Sequence, residues 1–116
     1  MGIVVMAPIR IQSEANLRHH WATRARRVSG QRDATRWNLF AVARNARPEP
    51  PLTITITRIA PRELDSDNLA GGCKAVRDGI ADWLCVDDGD KRLTWRYEQR
   101  TGKPREYACE IRIEAP

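Results

Sequence analysis

Leu64–Asp90 reads LDSDNLAGGCKAVRDGIADWLCVDDGD, and the spacing of its carboxylates organises the rest of the chain. Asp65 and Asp67 stand two apart. In an extended segment side chains alternate, so both carboxylates are expected on one side. A second pair, Asp87 and Asp88, follows beyond an amphipathic stretch that carries Lys74 near its start. Crowded carboxylates repel one another and resist ionising unless a cation lies between them. Oxygen donors with no His or Cys partner suit Mg²⁺ or Mn²⁺, which bind through one or two carboxylates plus water and phosphate oxygens. The same residues carry a plainer reading. Asp87-Asp88-Gly89-Asp90 is a good turn sequence, and Lys74 with Asp78 is an exposed helix pair worth roughly a few tenths of a kcal/mol.

Within the stretch, Gly71-Gly72 is expected to delay regular helix until Cys73. From there Val76, Ile80, Trp83 and Leu84 recur at helical spacing and form a buried stripe, leaving Lys74, Arg77, Asp78 and Asp82 outward. A helix from Cys73 to Leu84 is about 18 Å long, and Cys85 to Asp88 recovers roughly 13 Å when extended. The second acidic pair therefore returns toward the first only if the connection doubles back along the helix. Otherwise a second subunit completes the site.

Before the stretch, Leu52–Ile59 alternates apolar residues with threonine and is the clearest strand in the chain: Leu52, Ile54 and Ile56 face a core, and Thr53, Thr55 and Thr57 face the other way. Pro61–Leu64 leads on, so Asp65 and Asp67 are expected just past a strand end, a rigid mount for ligands. After it, Leu93–Gln99 and Tyr107–Ile113 both alternate, and Arg100-Thr101-Gly102-Lys103-Pro104 between them reads as the loop of a hairpin.

Ile3–Ile11 reads as a strand, with Pro8 marking an edge or a bend. Ser13 or Asn16 caps a helical segment from Leu17 to Ala46, with a break at Ser29-Gly30 and apolar stripes of Trp21, Ala25 and Val28, then Leu39, Val42 and Ala46. Arg47-Pro48-Glu49-Pro50-Pro51 ends it. The order β-α-β-α-β-β predicts an α+β fold, one domain over residues 1–116, with a small mixed sheet of about four strands backed by two helical units.

The formal net charge is +5 and the pI about 9.6, a balance suited to a polyanionic partner. Between Arg10 and Arg47 nine arginines are opposed only by Glu14 and Asp33, and no lysine precedes Lys74. Guanidinium groups grip phosphate oxygens in a bidentate fork, which makes Arg18, Arg24, Arg26, Arg27, Arg32 and Arg36 candidate phosphate contacts. The alternative is an arginine-rich helix face that is merely solvated. His19 and His20 read as helix-start or packing residues rather than general bases, and Trp21 and Trp37 as core or interface anchors. Cys73, Cys85 and Cys109 are odd in number and lack a CxxC pair, which argues for reduced thiols in a cytoplasmic protein and against a disulfide framework or a zinc site. No apolar run approaches the ~18 residues needed to cross a membrane, and the opening MGIVVM lacks the basic lead-in of a signal peptide.

The ordered set Asp65-Ser66-Asp67-Asn68-Leu69, Lys74, Asp78-Gly79-Ile80 and Asp87-Asp88 resembles the RusA family of Holliday junction resolvases, common in bacteriophages and prophages. The likeness extends more weakly to Ser13-Glu14-Ala15-Asn16, His20-Trp21 and the arginine-rich helix. It implies a homodimeric, Mg²⁺- or Mn²⁺-dependent endonuclease that makes paired nicks in four-way DNA junctions, with no small-molecule cofactor. Asp65 and Asp67 match the first two catalytic aspartates, Asp88 the third with Asp87 beside it, and Lys74 the essential lysine. The segment Ala70-Gly71-Gly72-Cys73 before Lys74 departs from the shorter family form. If it displaces Lys74, the role passes to another cation such as Arg77, which otherwise joins the DNA-binding set.

Phosphodiester hydrolysis needs charge neutralisation on the nonbridging oxygens, an activated water and help for the leaving oxygen. The aspartates suit the metal, Lys74 suits the scissile phosphate, and the basic helix suits sequence-independent affinity for DNA. Two other readings belong to the same residues: a branched-DNA-binding module without activity, and a general nuclease of flaps or RNA.

Overall fold

The strand with faultless alternation lies in the middle of the sheet, and the rest of the architecture follows from covering it. The structure is a computed structural model that describes residues 2–13 and 21–116. Its elements run β1 (Ile3–Ala7), α1 (Trp21–Ala43), β2 (Leu52–Ala60), α2 (Ser66–Gly72), α3 (Lys74–Leu84), β3 (Leu93–Thr101) and β4 (Ala108–Glu114). The α+β class and the mixed four-stranded sheet are as expected, in the order β1-β4-β2-β3. The second helical unit is two helices, α2 and α3, meeting at Cys73.

β2 pairs in parallel with β3 and antiparallel with β4, so Ile54 is flanked by Trp95 and Ile113, and Ile56 by Tyr97 and Ile111. The expected hairpin between the last two strands is therefore incorrect: β2 is inserted between them. The cause is burial on both faces of β2. Leu52, Ile54 and Ile56 sink into the core, while Thr53, Thr57 and Ile59 are also buried on the side expected to be open. A strand with so little exposed surface needs neighbours on both edges. The link from β3 to β4 crosses the end of β2, where the Gly102 amide donates to the Ala60 carbonyl at 2.9 Å. The parallel β2–β3 pair needs a long crossover, and α2 with α3 supplies it.

The core joins Val5, Ala7, Ile111 and Ile113 from the outer pair of strands to Leu39 of α1 and to Val76, Ile80, Trp83 and Leu84 of α3. The stripe expected on α3 is thus the buried one. α1 departs from expectation. It runs unbroken through Ser29-Gly30 and ends at Ala43, where Arg44 takes a left-handed φ of 53°. Its buried residues are Gln31, Thr35 and Leu39, whereas Trp21 is 75% exposed and Trp37 68%, so neither tryptophan is a core anchor. The polar residues are tolerated because each is satisfied: Gln31 Nε2 donates to the Arg10 carbonyl at 2.8 Å, and Thr35 Oγ1 to the Gln31 carbonyl at 2.8 Å. Small size matters as well. Thr35 lies against Gly79, which lets α1 and α3 approach closely.

β1 is an edge strand that stops before Pro8, earlier than expected, although Ile9 and Ile11 beyond it remain buried. Buried Arg58 ties this segment to β2, its Nε donating to the Ile11 carbonyl at 2.9 Å. Asn16 as cap, the Leu17 helix start, Arg18, His19, His20 and the weaker likeness at Glu14-Ala15-Asn16 lie outside the described residues. Among the described residues no helix is long and apolar enough to cross a membrane.

Candidate functional site around helix α3

Asp65 and Asp67 are not a same-side pair on an extended segment. Asp65 is the N-cap of α2: its Oδ1 accepts from the Asn68 amide and its Oδ2 from Asn68 Nδ2, both at 2.9 Å. Asp67 lies in the first turn of that helix, where negative charge meets the positive end of the helix dipole. Residues two apart on a helix do not face each other. Asp is among the best N-caps, and Asp65-Ser66-Asp67-Asn68 carries that signal. The following glycines obscured it. Gly72 is not a helix delay: it is buried, and a Cβ there would collide with the Gln12 carbonyl.

The second acidic pair does double back. Cys85 caps α3 in a left-handed conformation (φ 60°), with its amide donating to the Asp82 carbonyl and that of Val86 to the Ala81 carbonyl. The chain then runs back along α3 until the Asp88 carbonyl accepts from Arg77 Nη2 at 3.0 Å. Asp88 is the inner member of its pair. Asp87 is exposed and its Oδ1 accepts from the Gly89 amide at 2.9 Å, a local turn contact. Asp90 is held by Arg92, whose hydrogen bonds pull its carboxyl down to about 2.

Three adjoining cavities surround α3. One of about 400 Å³ is lined by Ala70, Gly71, Lys74, Arg77, Asp88 and Tyr97. A second of about 240 Å³ is lined by Arg32, Asp78, Asp82, Asp87 and Asp88, with Ala81 and Val86. A third of about 350 Å³ includes Trp21, Arg24, Lys74 and Asp78. Lys74, Asp78 and Asp88 each border two of them and make one continuous polar surface. Lys74 has not been carried away by the residues preceding it: its side chain is 71% exposed at the cavity mouth, with Nζ 3.5 Å from Asp78 Oδ2. Asp65 and Asp67 line none of the three, but Asp67 shares its face of α2 with Ala70 and Gly71, three and four residues on.

The donors fit a hard divalent ion in kind, being carboxylates with no imidazole or thiolate among them. In number they do not close a cage. Among the described residues no three His, Cys, Asp or Glu side chains gather closely enough to hold an ion. An ion bound here would rest on Asp88 and Asp67 with water and phosphate oxygens completing its shell.

The arginines divide by occupation. Arg24 and Arg26 are exposed on α1, and Arg27 is half-buried. Arg36 pairs with Asp33 at 2.6 Å. Arg32 grips Asp82 through Nε and Nη2 at 2.5 and 2.8 Å, tying α1 to α3. Arg77, expected to face outward and contact DNA, is instead committed inward. Its Nη1 donates to the Tyr97 hydroxyl at 2.9 Å and its guanidinium lies 4.7 Å from the Trp95 ring centre. Trp95 and Tyr97 were absent from the candidate residues. The alternation Leu93, Trp95, Tyr97 was the available signal, since it puts all three on the face of β3 turned toward the helices.

The Arg32 hydrogen bonds hold the Asp82 carboxyl below its usual range of about 3.8. Its folded-state pKa is therefore lower than its unfolded one. The stabilisation is complete above the unfolded value and fades as pH falls through the folded value. Because both side chains are partly exposed, 47% and 28%, the pair is worth only about 0.2–1 kcal/mol. Asp82→Asn is expected to lose that amount at neutral pH and to converge with the wild type in acid. Urea titrations at pH 7 and pH 3 measure this, and a constant difference at both would exclude the pairing.

Cys73 and Cys109 are buried free thiols and Cys85 is an exposed one. Burial pushes the Cys73 thiol up to about 12, so it has no nucleophilic character at neutral pH.

No protein-family model matches the chain, and no curated protein does. Among solved structures it is similar to 2C-methyl-D-erythritol 2,4-cyclodiphosphate synthase from Plasmodium vivax, with 15% identity and a TM-score of 0.29 over 75% of this chain and 52% of that one. The chain thus spans about half the length of that protein, a likeness too slight to bear on function.

Proposed function

We propose that the chain is a Mg²⁺- or Mn²⁺-dependent endodeoxyribonuclease, acting as a homodimer in the cytoplasm and making paired nicks in four-way DNA junctions. The observation that carries this reading is the return of Asp88 along α3 to the cavity bordered by Lys74. Two residues separated by a whole helix share one concave surface beside the N-terminal helix that bears Asp67. That is a layout for a phosphate flanked by cation and carboxylate. The RusA-like order of Asp65, Asp67, Lys74, Asp78 and the Asp87-Asp88 pair supports it independently.

In this reading Lys74 offsets charge on the scissile phosphate from its exposed position at the cavity mouth. Asp67 and Asp88 would hold the metal, with Asp87 at the solvent edge. Asp65 fixes α2 and so aims Asp67. A divalent ion held there supplies charge neutralisation and activation of the attacking water. Arg24, Arg26 and Arg27 on the first turns of α1 suit the flanking backbone through counterion release. A two-fold pair of such sites matches a junction that is itself nearly two-fold.

A second reading, a branched-DNA-binding module without activity, is favoured by one observation: the described carboxylates do not gather in threes. Incubation with a synthetic four-way junction, with and without Mg²⁺, separates the two. Symmetric nicks that require the metal are expected. Metal-independent binding without incision would establish the binding module, and equal cutting of flaps or RNA would establish a general nuclease.

A further inference from the structure

Arg77 is the most thoroughly engaged cation in the described surface around α3, and none of its contacts points to solvent. Its Nη1 donates to Tyr97, its Nη2 to the Asp88 carbonyl, and its planar face rests on Trp95. The same Asp88 carbonyl also accepts from Trp95 Nε1 at 3.0 Å. Both lone pairs of that backbone oxygen are thereby filled, one from α3 and one from β3. Asp88 sits in a connecting turn, where a lone aspartate would otherwise be loosely placed.

The side chain of Asp88 is treated differently from its backbone. Arg77 Nε stands 3.2 Å from Asp88 Oδ2, close enough for ion pairing, yet Nε is buried and makes no aligned hydrogen bond. The carboxylate is held near a fixed charge without its oxygens being consumed, and it remains 35% exposed toward the cavity. A group meant only to staple the turn to the sheet has no need of that distinction. A group meant to aim a ligating carboxylate does.

We infer that Arg77 is a positioning residue: with Trp95 it clamps the Asp88 backbone so that the carboxylate is presented to the cavity shared with Lys74. This rests on the nuclease reading above. Arg77 touches neither the phosphate nor the ion; it acts through Asp88. The neighbouring cation would by itself weaken attraction of a metal to that carboxylate, so the inference fixes a sign: losing Arg77 makes divalent binding worse because placement outweighs repulsion.

The test compares wild type, Arg77→Ala, Arg77→Lys and Trp95→Phe, each checked for folding by its thermal transition. Mn²⁺ binding is followed by electron paramagnetic resonance, junction affinity by gel shift in the absence of metal, and cleavage at saturating metal. Arg77→Ala is expected to weaken Mn²⁺ binding and slow cleavage by about 10–100-fold, the range for outer-shell partners. Junction affinity should stay within about twofold, unlike that of a phosphate-contacting arginine. Arg77→Lys cannot reproduce the forked contacts and should not restore function. Trp95→Phe keeps the ring but loses the donor to Asp88, and should move Mn²⁺ binding the same way by a smaller factor. Tighter Mn²⁺ binding in Arg77→Ala, unchanged binding in a folded Trp95→Phe, or lost junction affinity with intact metal binding would overturn the inference while leaving the nuclease reading standing. A wild type that neither binds Mn²⁺ nor cuts junctions takes both down together.

Discussion

Asp67→Asn is expected to leave junction binding intact and to lower the cleavage rate by at least about a hundredfold, the scale on which single charge-stabilising groups act in transition states. The substitution is isosteric and removes only the charge. Asp67 is exposed in the first turn of α2 and caps nothing, so the helix should survive with a loss of about 0.3–1 kcal/mol from the dipole. Asp65 is the poorer probe, because its carboxylate holds Asn68 and changing it mixes helix stability with chemistry. Single-turnover cleavage of a labelled four-way junction, beside a gel shift without metal, measures both quantities. Unaltered cutting would remove Asp67 from the site and with it the assignment of the acidic stretch.

Gly79→Ala is expected to destabilise the fold by about 1–2 kcal/mol. A Cβ at this position would lie 2.6 Å from the Arg32 carbonyl oxygen and 2.8 Å from Thr35 Cβ. The first obstacle is backbone and the second is the root of a fully buried side chain, so neither can rotate aside. α1 and α3 must part, and overpacking of this kind costs about 1–3 kcal/mol. Alanine recovers up to about 1 kcal/mol in helix propensity, which does not offset it. Gly30→Ala is the control. It lies in the middle of α1 with open space around it, so the propensity gain there is unopposed. The two variants should shift the thermal midpoint in opposite directions, by roughly 4–8 °C per kcal/mol for a domain of this size. A Gly79→Ala protein as stable as the wild type would show that the helix contact is looser than described.

What could be read in advance was local. The alternation of Leu52, Ile54 and Ile56 named a strand, and the spacing of Val76, Ile80, Trp83 and Leu84 named the buried face of α3, because both patterns are set by the period of the element itself. What could not be read was set at long range. The last two strands alternate as a hairpin should, yet they flank β2, because burial on both faces of β2 calls for partners that only assembly supplies. Gly71-Gly72 resembled a break because the neighbour that requires Gly72, Gln12, lies far away in sequence. Gln31 and Thr35 looked like surface residues until Gly79 came into contact with one of them. At the candidate site, the need for the connection after α3 to reverse was legible from chain lengths. Which of Asp87 and Asp88 turns inward depended on Trp95 and Arg77, and no spacing rule reports that.

The insertion of β2 between β3 and β4 bears on how the molecule comes to be. No two strands here can zip up as immediate neighbours in the chain: Leu52 must find Leu93, and Ile3 must find Ile113, before those ladders begin. The sheet cannot start from a small local seed, so the entropy of closing large loops is met before any ladder repays it, and assembly belongs to the slower range associated with high contact order. Until the final segment arrives, the middle strand has an open flank, and a newborn chain is exposed to wrong partners for that interval.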